Sequence, residues 1–173
     1  MTASKIKLQP FTVDDFDRLI GWIKDEELLI QFAGSIFSFP LTRDQLNQYL
    51  SDADRSIFKV VNEHEEVIGH CEAYDTKNGE VRLCRVLIGE EKFRGKGLGE
   101  IIIKTLANYA FTAMNASMVS LNVFDWNVGA IRCYEKAGFR KVRNEQSETV
   151  YNDLIWTAIK MKCYPTSLPF SKS

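Results

Sequence analysis

A seven-residue segment near the middle of the chain, FRGKGLG at residues 93–99, most constrains how this sequence can fold. It follows an apolar stretch at 81–88 and opens a stretch at 98–111 with apolar residues at helical spacing, which predicts a strand, a glycine turn and a helix. Gly95, Gly97 and Gly99 have no side chains to keep backbone N–H groups from a ligand, and the helix start adds unpaired donors. The segment predicts a site for a phosphate or pyrophosphate, with a ligand-free glycine connection as the alternative.

The spacing of the glycines separates the known kinds of phosphate loop. A P-loop needs Lys-Ser or Lys-Thr after its second glycine, which is absent here. A dinucleotide loop needs G-x-G-x-x-G, but Glu100 occupies the third glycine position. The pattern R-G-x-G-x-G does fit, and with it the chain resembles the GNAT superfamily of acetyl-CoA-dependent acetyltransferases. That resemblance implies that the loop wraps the pyrophosphate of coenzyme A, through Arg94, Gly95, Lys96, Gly97, Leu98 and Gly99.

A second segment, at residues 127–139, strengthens the resemblance. It is similar to the family signature N-x-x-A-x-x-x-Y-x-x-x-G-F at every fixed position. Asn127 is a good helix N-cap, Ala130 and Tyr134 recur at helical spacing, and Gly138 can end the helix. A packed helical aromatic is the alternative role for Tyr134. The resemblance extends over about residues 5–162.

Length and composition predict one ordinary globular domain. The chain has 173 residues, 45% of them hydrophobic and 26% charged, and we expect a single domain over 1–164 and a poorly ordered tail over 165–173. A net charge of −1 gives no general attraction to nucleic acid or to an anionic membrane. No signal peptide or spanning apolar run is recognisable, so we expect a cytoplasmic protein. The four cysteines and two histidines lack metal-ligand spacing, so no metal is expected.

The predicted elements follow the order βααβββαβαββ. Strands are predicted at 5–9, 56–61, 67–74, 81–88, 117–124, 139–143 and 151–161, and helices begin after Thr12, Thr42, Gly97 and Asn127. The segment 32–40 is predicted to be a loop. By resemblance this order implies an α/β (α+β) GNAT fold. Its mixed sheet has about seven strands and about four flanking helices, and the fourth and fifth strands splay apart.

The resemblance also implies the chemistry. Acetyl-CoA would lie between the splayed strands, with its pantetheine arm on the backbone of Val86 and Ile88, and the Val86 N–H would stabilise the charge on the thioester oxygen. Asn127 and Ala130 would contact the pantetheine. Tyr134 would act as general acid toward the leaving thiolate. The implied reaction moves an acetyl group to a primary amine, of a small molecule or a peptide N-terminus, by direct attack in a ternary complex.

The general base and the acceptor are less well defined. Family members that acetylate protein N-termini carry a glutamate in the fifth strand where this chain has Asn122. Glu72 in the third strand is the candidate base, with a solvated strand face as its alternative role, and Asp125 is a weaker candidate. The segment 32–39 could line the acceptor site, pack as a surface loop or contact a second copy in a homodimer.

Looser similarity to ribosomal-protein and polyamine acetyltransferases implies an amine acceptor without choosing its kind. Two functions of other classes stay open, a non-catalytic acyl-CoA-binding module and a nucleotide-binding protein.

Overall fold

The computed structural model of the protein describes residues 4–167, which form seven β-strands and five α-helices. The strands are β1 (Ile6–Pro10), β2 (Arg55–Asn62), β3 (Val67–Asp75), β4 (Glu80–Ile88), β5 (Met118–Phe124), β6 (Arg140–Tyr151) and β7 (Leu154–Cys163). The helices are α1 (Phe16–Trp22), α2 (Glu26–Ala33), α3 (Arg43–Leu50), α4 (Leu98–Thr112) and α5 (Val128–Lys136). One mixed sheet has the strand order β1-β2-β3-β4-β5-β7-β6. The predicted seven-stranded mixed sheet is thereby confirmed.

Helix α2 is a fifth helix, which the prediction of about four helices did not include. The Asp25 side chain caps it by accepting a hydrogen bond from the Leu28 N–H at 2.7 Å. Leu29 and Phe32 bury one face of the helix, and Gly34, with φ of 60°, follows its last residue. Residues 32 and 33, which the sequence predicts to be loop, therefore form the last turn of a helix. An eight-residue helix has only two turns, which is too short for a clear apolar period.

Strand β6 is longer than predicted, at 140–151 rather than 139–143, and β7 lies at 154–163 rather than 151–161. Strands β6 and β7 form one antiparallel hairpin whose turn is Asn152 and Asp153, both with positive φ. Beyond it, Pro165–Ser167 form a single turn of 3-10 helix, and the rest of the predicted tail, 168–173, lies outside the described residues.

Two apolar clusters cover the two faces of the sheet. Helices α4 and α5 pack on one face, where Ile102, Ile103 and Phe139 are fully buried. Helices α1, α2 and α3 pack on the other face, where Phe16 and Leu46 are fully buried. Burial of large side chains on both faces makes the sheet a rigid support for the groups at its edges.

Strand β4 leaves its neighbour β5 half-way along. The two strands pair in parallel from Glu80 to Leu83 only, and they diverge beyond that point. The predicted splay of the fourth and fifth strands is confirmed. The backbone of the second half of β4 therefore has no strand partner on the β5 side within residues 4–167.

A β-bulge lies at the same place. On the other side of β4, Cys84 is opposite Glu72 and Leu87 is opposite His70, so three steps along β4 match two along β3. Arg85 occupies the extra position with φ of 50°. The bulge shifts the alternation of side chains along the strand by one residue. As a result, Leu87 packs into the α1–α3 cluster.

No helix among the described residues has the length and apolar character needed to cross a membrane. Within the same range, no group of three or more His, Cys, Asp or Glu side chains is placed to hold a metal ion.

Candidate active site

An open cleft of about 330 Å³ lies where β4 and β5 diverge. The second half of β4 forms its floor, and Leu28 and Phe32 of α2 form one wall. Asn127 and Tyr134 contribute from α5 and the turn before it, and Ser147 and Thr149 contribute from β6. The cleft therefore brings together parts of the chain that are far apart in sequence, including Asn127 and Tyr134 of the second motif, whereas the glycine loop at 93–99 is not among its lining residues.

The glycine loop precedes α4 and has the geometry of an anion site. Gly95 and Gly97 have φ of 71° and 76°, a region that side chains rarely adopt. A Cβ built at either position would meet no atom within 4 Å, so open space lies beside this backbone. The first N–H groups of α4 are unpaired by the helix itself, and its dipole favours negative charge at this end. These features fit a pyrophosphate.

The other residues of the loop have different surroundings. The Arg94 guanidinium is tied back to β4, with Nε 3.2 Å from the Ile88 carbonyl and Nη2 3.4 Å from the Gly89 carbonyl. Lys96 is exposed, and the Leu98 side chain is buried in the core below the loop. Gly99 faces α5, where a Cβ would lie 3.4 Å from the Cys133 sulfur. A small residue at 99 therefore lets the loop and the helix of Tyr134 lie close together.

Asn127 and Ala130 form the start of α5. The Asn127 Oδ1 accepts a hydrogen bond from the Ala130 N–H at 3.2 Å, as the cap prediction requires. The Nδ2 group remains available, because Asn127 lines the cleft and its cap uses only the oxygen. Ala130 is half-buried against the core.

Tyr134 lines the cleft from the middle of α5. Its ring packs against the core, and its hydroxyl has no hydrogen-bond partner within residues 4–167. Burial, with a smaller effect of the neighbouring Cys133, raises the pKa of Tyr134 to about 12. The phenol therefore stays protonated at neutral pH and can donate a proton to a group in the cleft.

Val86 and Ile88 lie in the second half of β4. Both side chains pack against the α4 cluster, so only their backbone groups can face the space between β4 and β5. Val86 lines the cleft, whereas Ile88 lies outside its lining and its carbonyl already accepts from Arg94.

Glu72 lies behind the floor of the cleft. Its side chain is 0% exposed, so the alternative of a solvated strand face is wrong. One carboxylate oxygen accepts from Arg55 at 2.5 Å, and the other accepts from Tyr49 at 2.5 Å and from Arg85 at 2.8 Å. The role of Glu72 as a base stays a prediction, and the geometry gives its carboxylate three donors within the protein.

Sequence reasoning missed the partners of Glu72. Arg85 lines the cleft and packs its guanidinium over the Tyr49 ring at 5.4 Å. Arg55 does not line the cleft and contacts Glu72 behind the cleft floor. The available signal was two arginines, at 82 and 85, inside a strand that is otherwise apolar. Their spacing of three does not place them on one face of a regular strand, and only the bulge does so.

Three further side chains bear on the chemistry. Asn122 is exposed and lines the cleft, while Asp125 lies in the turn after β5 and is not among the lining residues. Cys84 also lines the cleft, but burial and then the Glu72 charge raise its pKa to about 11. The Cys84 thiol is therefore protonated at neutral pH and is a poor nucleophile.

Two strands of a mixed sheet diverge beside a glycine loop and the start of a helix. This arrangement defines the class of the protein as one with a coenzyme-dependent acyltransferase fold. The profile of the family described as "Acetyltransferase (GNAT) domain" matches residues 5–140. The chain therefore belongs to the GNAT acetyltransferase family, as the two motifs predicted.

Individual relatives agree with this assignment. The chain is 38% identical over 66 residues to the spermine/spermidine N(1)-acetyltransferase of Bacillus subtilis (strain 168). That alignment spans 38% of this chain and 43% of the Bacillus protein.

The fold is also similar to solved structures. The spermidine N-acetyltransferase of Vibrio cholerae, in complex with CoA and spermine, superposes with a TM-score of 0.79 at 20% identity over 94% of this chain and 96% of that one. The aminoglycoside acetyltransferase AAC(6′)-Ib, with coenzyme A and kanamycin, gives 0.74 at 22% identity over 98% and 100% of the two chains. At these identities the likeness supports the fold.

Proposed function

We propose that the protein is an acetyl-CoA-dependent N-acetyltransferase that moves an acetyl group to a primary amine. The observation that carries the proposal is Tyr134, which lines the cleft between β4 and β5 and whose hydroxyl has no hydrogen-bond partner in the described chain. The positive φ values of the glycine loop and the unpaired edge of β4 support binding of the coenzyme along the second half of β4 and the start of α4.

Each residue has a part in binding or proton transfer. The N–H groups around Gly95 and Gly97 and the start of α4 would hold the pyrophosphate. The β4 backbone near Val86 would pair with the pantetheine, and Asn127 Nδ2 would donate to it. The coenzyme supplies the thioester that is attacked. The backbone N–H of Val86 would stabilise the charge that develops on the carbonyl oxygen.

Tyr134 would complete the transfer. As the amine nitrogen bonds to the acetyl carbon and the carbon–sulfur bond breaks, the phenol donates its proton to the departing thiolate. The attacking amine loses one proton in the same reaction, and this proton returns the Tyr134 phenolate to a phenol, directly or through water, so that the products are the amide and the free thiol. The protonated Cys84 supports direct attack by the amine rather than a route through an acetyl-cysteine.

Release of free thiol from acetyl-CoA tests the proposed function. We expect release that depends on an added primary amine, from a panel of amino acids, amino sugars, polyamines and short peptides. Acetyl-CoA binding without release by any amine would instead support a non-catalytic acyl-CoA-binding module. Preference for ATP over acetyl-CoA in a competition experiment would support a nucleotide-binding protein.

The cellular compartment and the oligomeric state are also proposed, each from one local feature of the structure. The four cysteines are unpaired, which supports a reducing compartment such as the cytoplasm. Val150, Leu154 and Ile155 at the β6–β7 hairpin are each more than 60% exposed, which supports a homodimer contact there. Analytical ultracentrifugation of the protein and of Ile155→Ser would test the dimer.

A further inference from the structure

The charged residues that line the cleft are both arginines. Arg82 and Arg85 line it from β4, and no Asp or Glu of residues 4–167 is among its lining residues. The remaining polar groups of the lining, such as Gln31, Asn122 and Ser147, are neutral. A site that receives a polycation needs carboxylates to offset the charge, so this cleft has the opposite electrostatic character.

Arg85 is held in place but incompletely paired. Its side chain is 6% exposed, and Nη1 donates to Glu72 at 2.8 Å. Its buried Nε has no hydrogen-bond partner within the described residues. A buried guanidinium N–H without an acceptor is costly, and an anion in the adjoining cleft would add a counter-charge to the guanidinium as a whole.

Arg82 is the second incompletely paired arginine. Its nearest carboxylate oxygen belongs to Glu80, 3.7 Å from Nη2, and its buried Nε also lacks a partner in the described chain. Glu80 is itself closer to Lys160, at 3.0 Å, and accepts a hydrogen bond from Ser120. Arg82 therefore keeps most of its donors available.

The bulge places the two arginines on the same face. Alternation puts Arg82 and Cys84 on the face opposite Val81 and Leu83, and the extra residue turns Arg85 toward Glu72 on that face as well. Both lie at the point where β4 and β5 separate, close to where the proposed acetyl transfer occurs.

We propose that the acceptor is a small primary amine that also carries an anionic group, a carboxylate or a phosphate, bound by Arg82 and Arg85. This inference rests on the proposed acetyltransferase function and names its substrate class. An arginine fork binds either anion through paired N–H donors. Glu72 is then a positioning residue, because its carboxylate orients the Arg85 guanidinium at the cleft.

Pairs of acceptors that differ only in the anion test the inference. The pairs are alanine with alaninamide and O-phosphoethanolamine with ethanolamine, with spermidine as the polycation, all measured by thiol release at saturating acetyl-CoA. We expect kcat/KM to be about tenfold or more higher for at least one anionic member than for its neutral partner. The favoured pair distinguishes carboxylate from phosphate. Higher kcat/KM for spermidine or for both neutral amines would overturn the inference while leaving the acetyltransferase function standing.

Arg82→Gln adds a residue-specific test. We expect it to raise KM for the anionic acceptor about tenfold with little change in kcat, to leave KM for the neutral amine unchanged, and to be partly rescued in Arg82→Lys. Arg132→Gln, an exposed arginine of α5 outside this cleft, is the matched control. Equal effects of Arg82→Gln on both members of a pair would contradict the inference.

A binding measurement keeps the inference testable without turnover. Calorimetry with O-phosphoethanolamine and alanine against the CoA-saturated protein should give heat that is lost in Arg82→Gln. If no amine releases thiol but this binding is seen, the proposed function fails and the anion site stands. If neither anionic amine binds and neither is acetylated, the anion site is wrong.

Discussion

Glu72 on β3 and Arg85 at the bulge of β4 form a buried ion pair, with Oε2 and Nη1 2.8 Å apart. Arg55 contacts the other carboxylate oxygen at 2.5 Å, so one buried negative charge serves two arginines. The pair lies directly behind the cleft floor, and it ties the irregular backbone at Arg85 to the neighbouring strand. The shape of the cleft and its positive charge therefore depend on a residue that does not line it.

Loss of the Glu72 charge should destabilise the protein. Glu72→Gln keeps the size of the side chain but leaves Arg55 and Arg85 without their shared counter-charge, and we expect a loss of about 3–5 kcal/mol in the free energy of unfolding. Denaturant unfolding measures it. Asp52→Asn removes a partly exposed carboxylate from the same Arg55 and should cost under about 1 kcal/mol. A folded Glu72→Gln with unchanged stability and a lost acidic limb in its pH–rate profile would instead support the base role.

Tyr134→Phe should separate binding from catalysis. The variant keeps the ring that packs against the core but loses the only proton that Tyr134 can donate, so we expect kcat to fall roughly 10²–10⁴-fold. The Kd of acetyl-CoA should not change. Steady-state kinetics and calorimetry measure the two effects, and Tyr109→Phe on α4, packed against Phe58, is the control. Full activity of Tyr134→Phe across the pH range would remove its role as general acid.

Gly97→Ala should weaken coenzyme binding. At φ of 76° an alanine is strained by roughly 1–2 kcal/mol, and its methyl group would enter the open space beside the loop. We expect an increase in the Kd of acetyl-CoA of about tenfold or more. Gly21→Ala on α1, where an added Cβ also meets nothing, should leave Kd unchanged. Equal affinity of both variants would show that the loop does not contact the coenzyme.

His70 should make the protein sensitive to acid. It is buried, with Nε2 3.2 Å from the Tyr49 hydroxyl, and burial followed by the Arg85 charge lowers its pKa to about 3. Between about pH 6.5 and 3 the unfolded chain binds a proton that the folded protein excludes, so the free energy of unfolding falls as pH falls. From pH 7 to 5 the loss should be about 2 kcal/mol larger than in His70→Gln. Parallel pH profiles of urea unfolding for the two proteins would refute this.

Cys84→Ala should retain activity. With a pKa of about 11 the thiol is protonated at neutral pH, so direct attack by the amine does not need it. We expect acceptor-dependent thiol release close to that of the unsubstituted protein, and no acetylated protein in intact mass spectra after incubation with acetyl-CoA alone. A loss of activity comparable to that expected for Tyr134→Phe, together with a mass increase of one acetyl group, would point to a covalent route.

Local sequence was sufficient for the elements whose geometry depends on neighbouring residues. The strand, glycine loop and α4 follow from glycines that tolerate positive φ and from helical periodicity. The start of α5 follows from the capping preference of Asn127. Helix α2 was missed because its two turns are stabilised by packing of Leu29 and Phe32 rather than by a long periodic pattern.

The candidate site divides in the same way. The sequence by itself determined the family, the glycine loop before α4 and the place of Tyr134 on a helix, because each depends on residues close together in the chain. Only the tertiary structure decided that Glu72 is buried, that Arg82 and Arg85 share a face, and that the cleft is cationic. The physical reason is the bulge in β4, since one extra residue reverses the side-chain alternation on which a strand prediction depends.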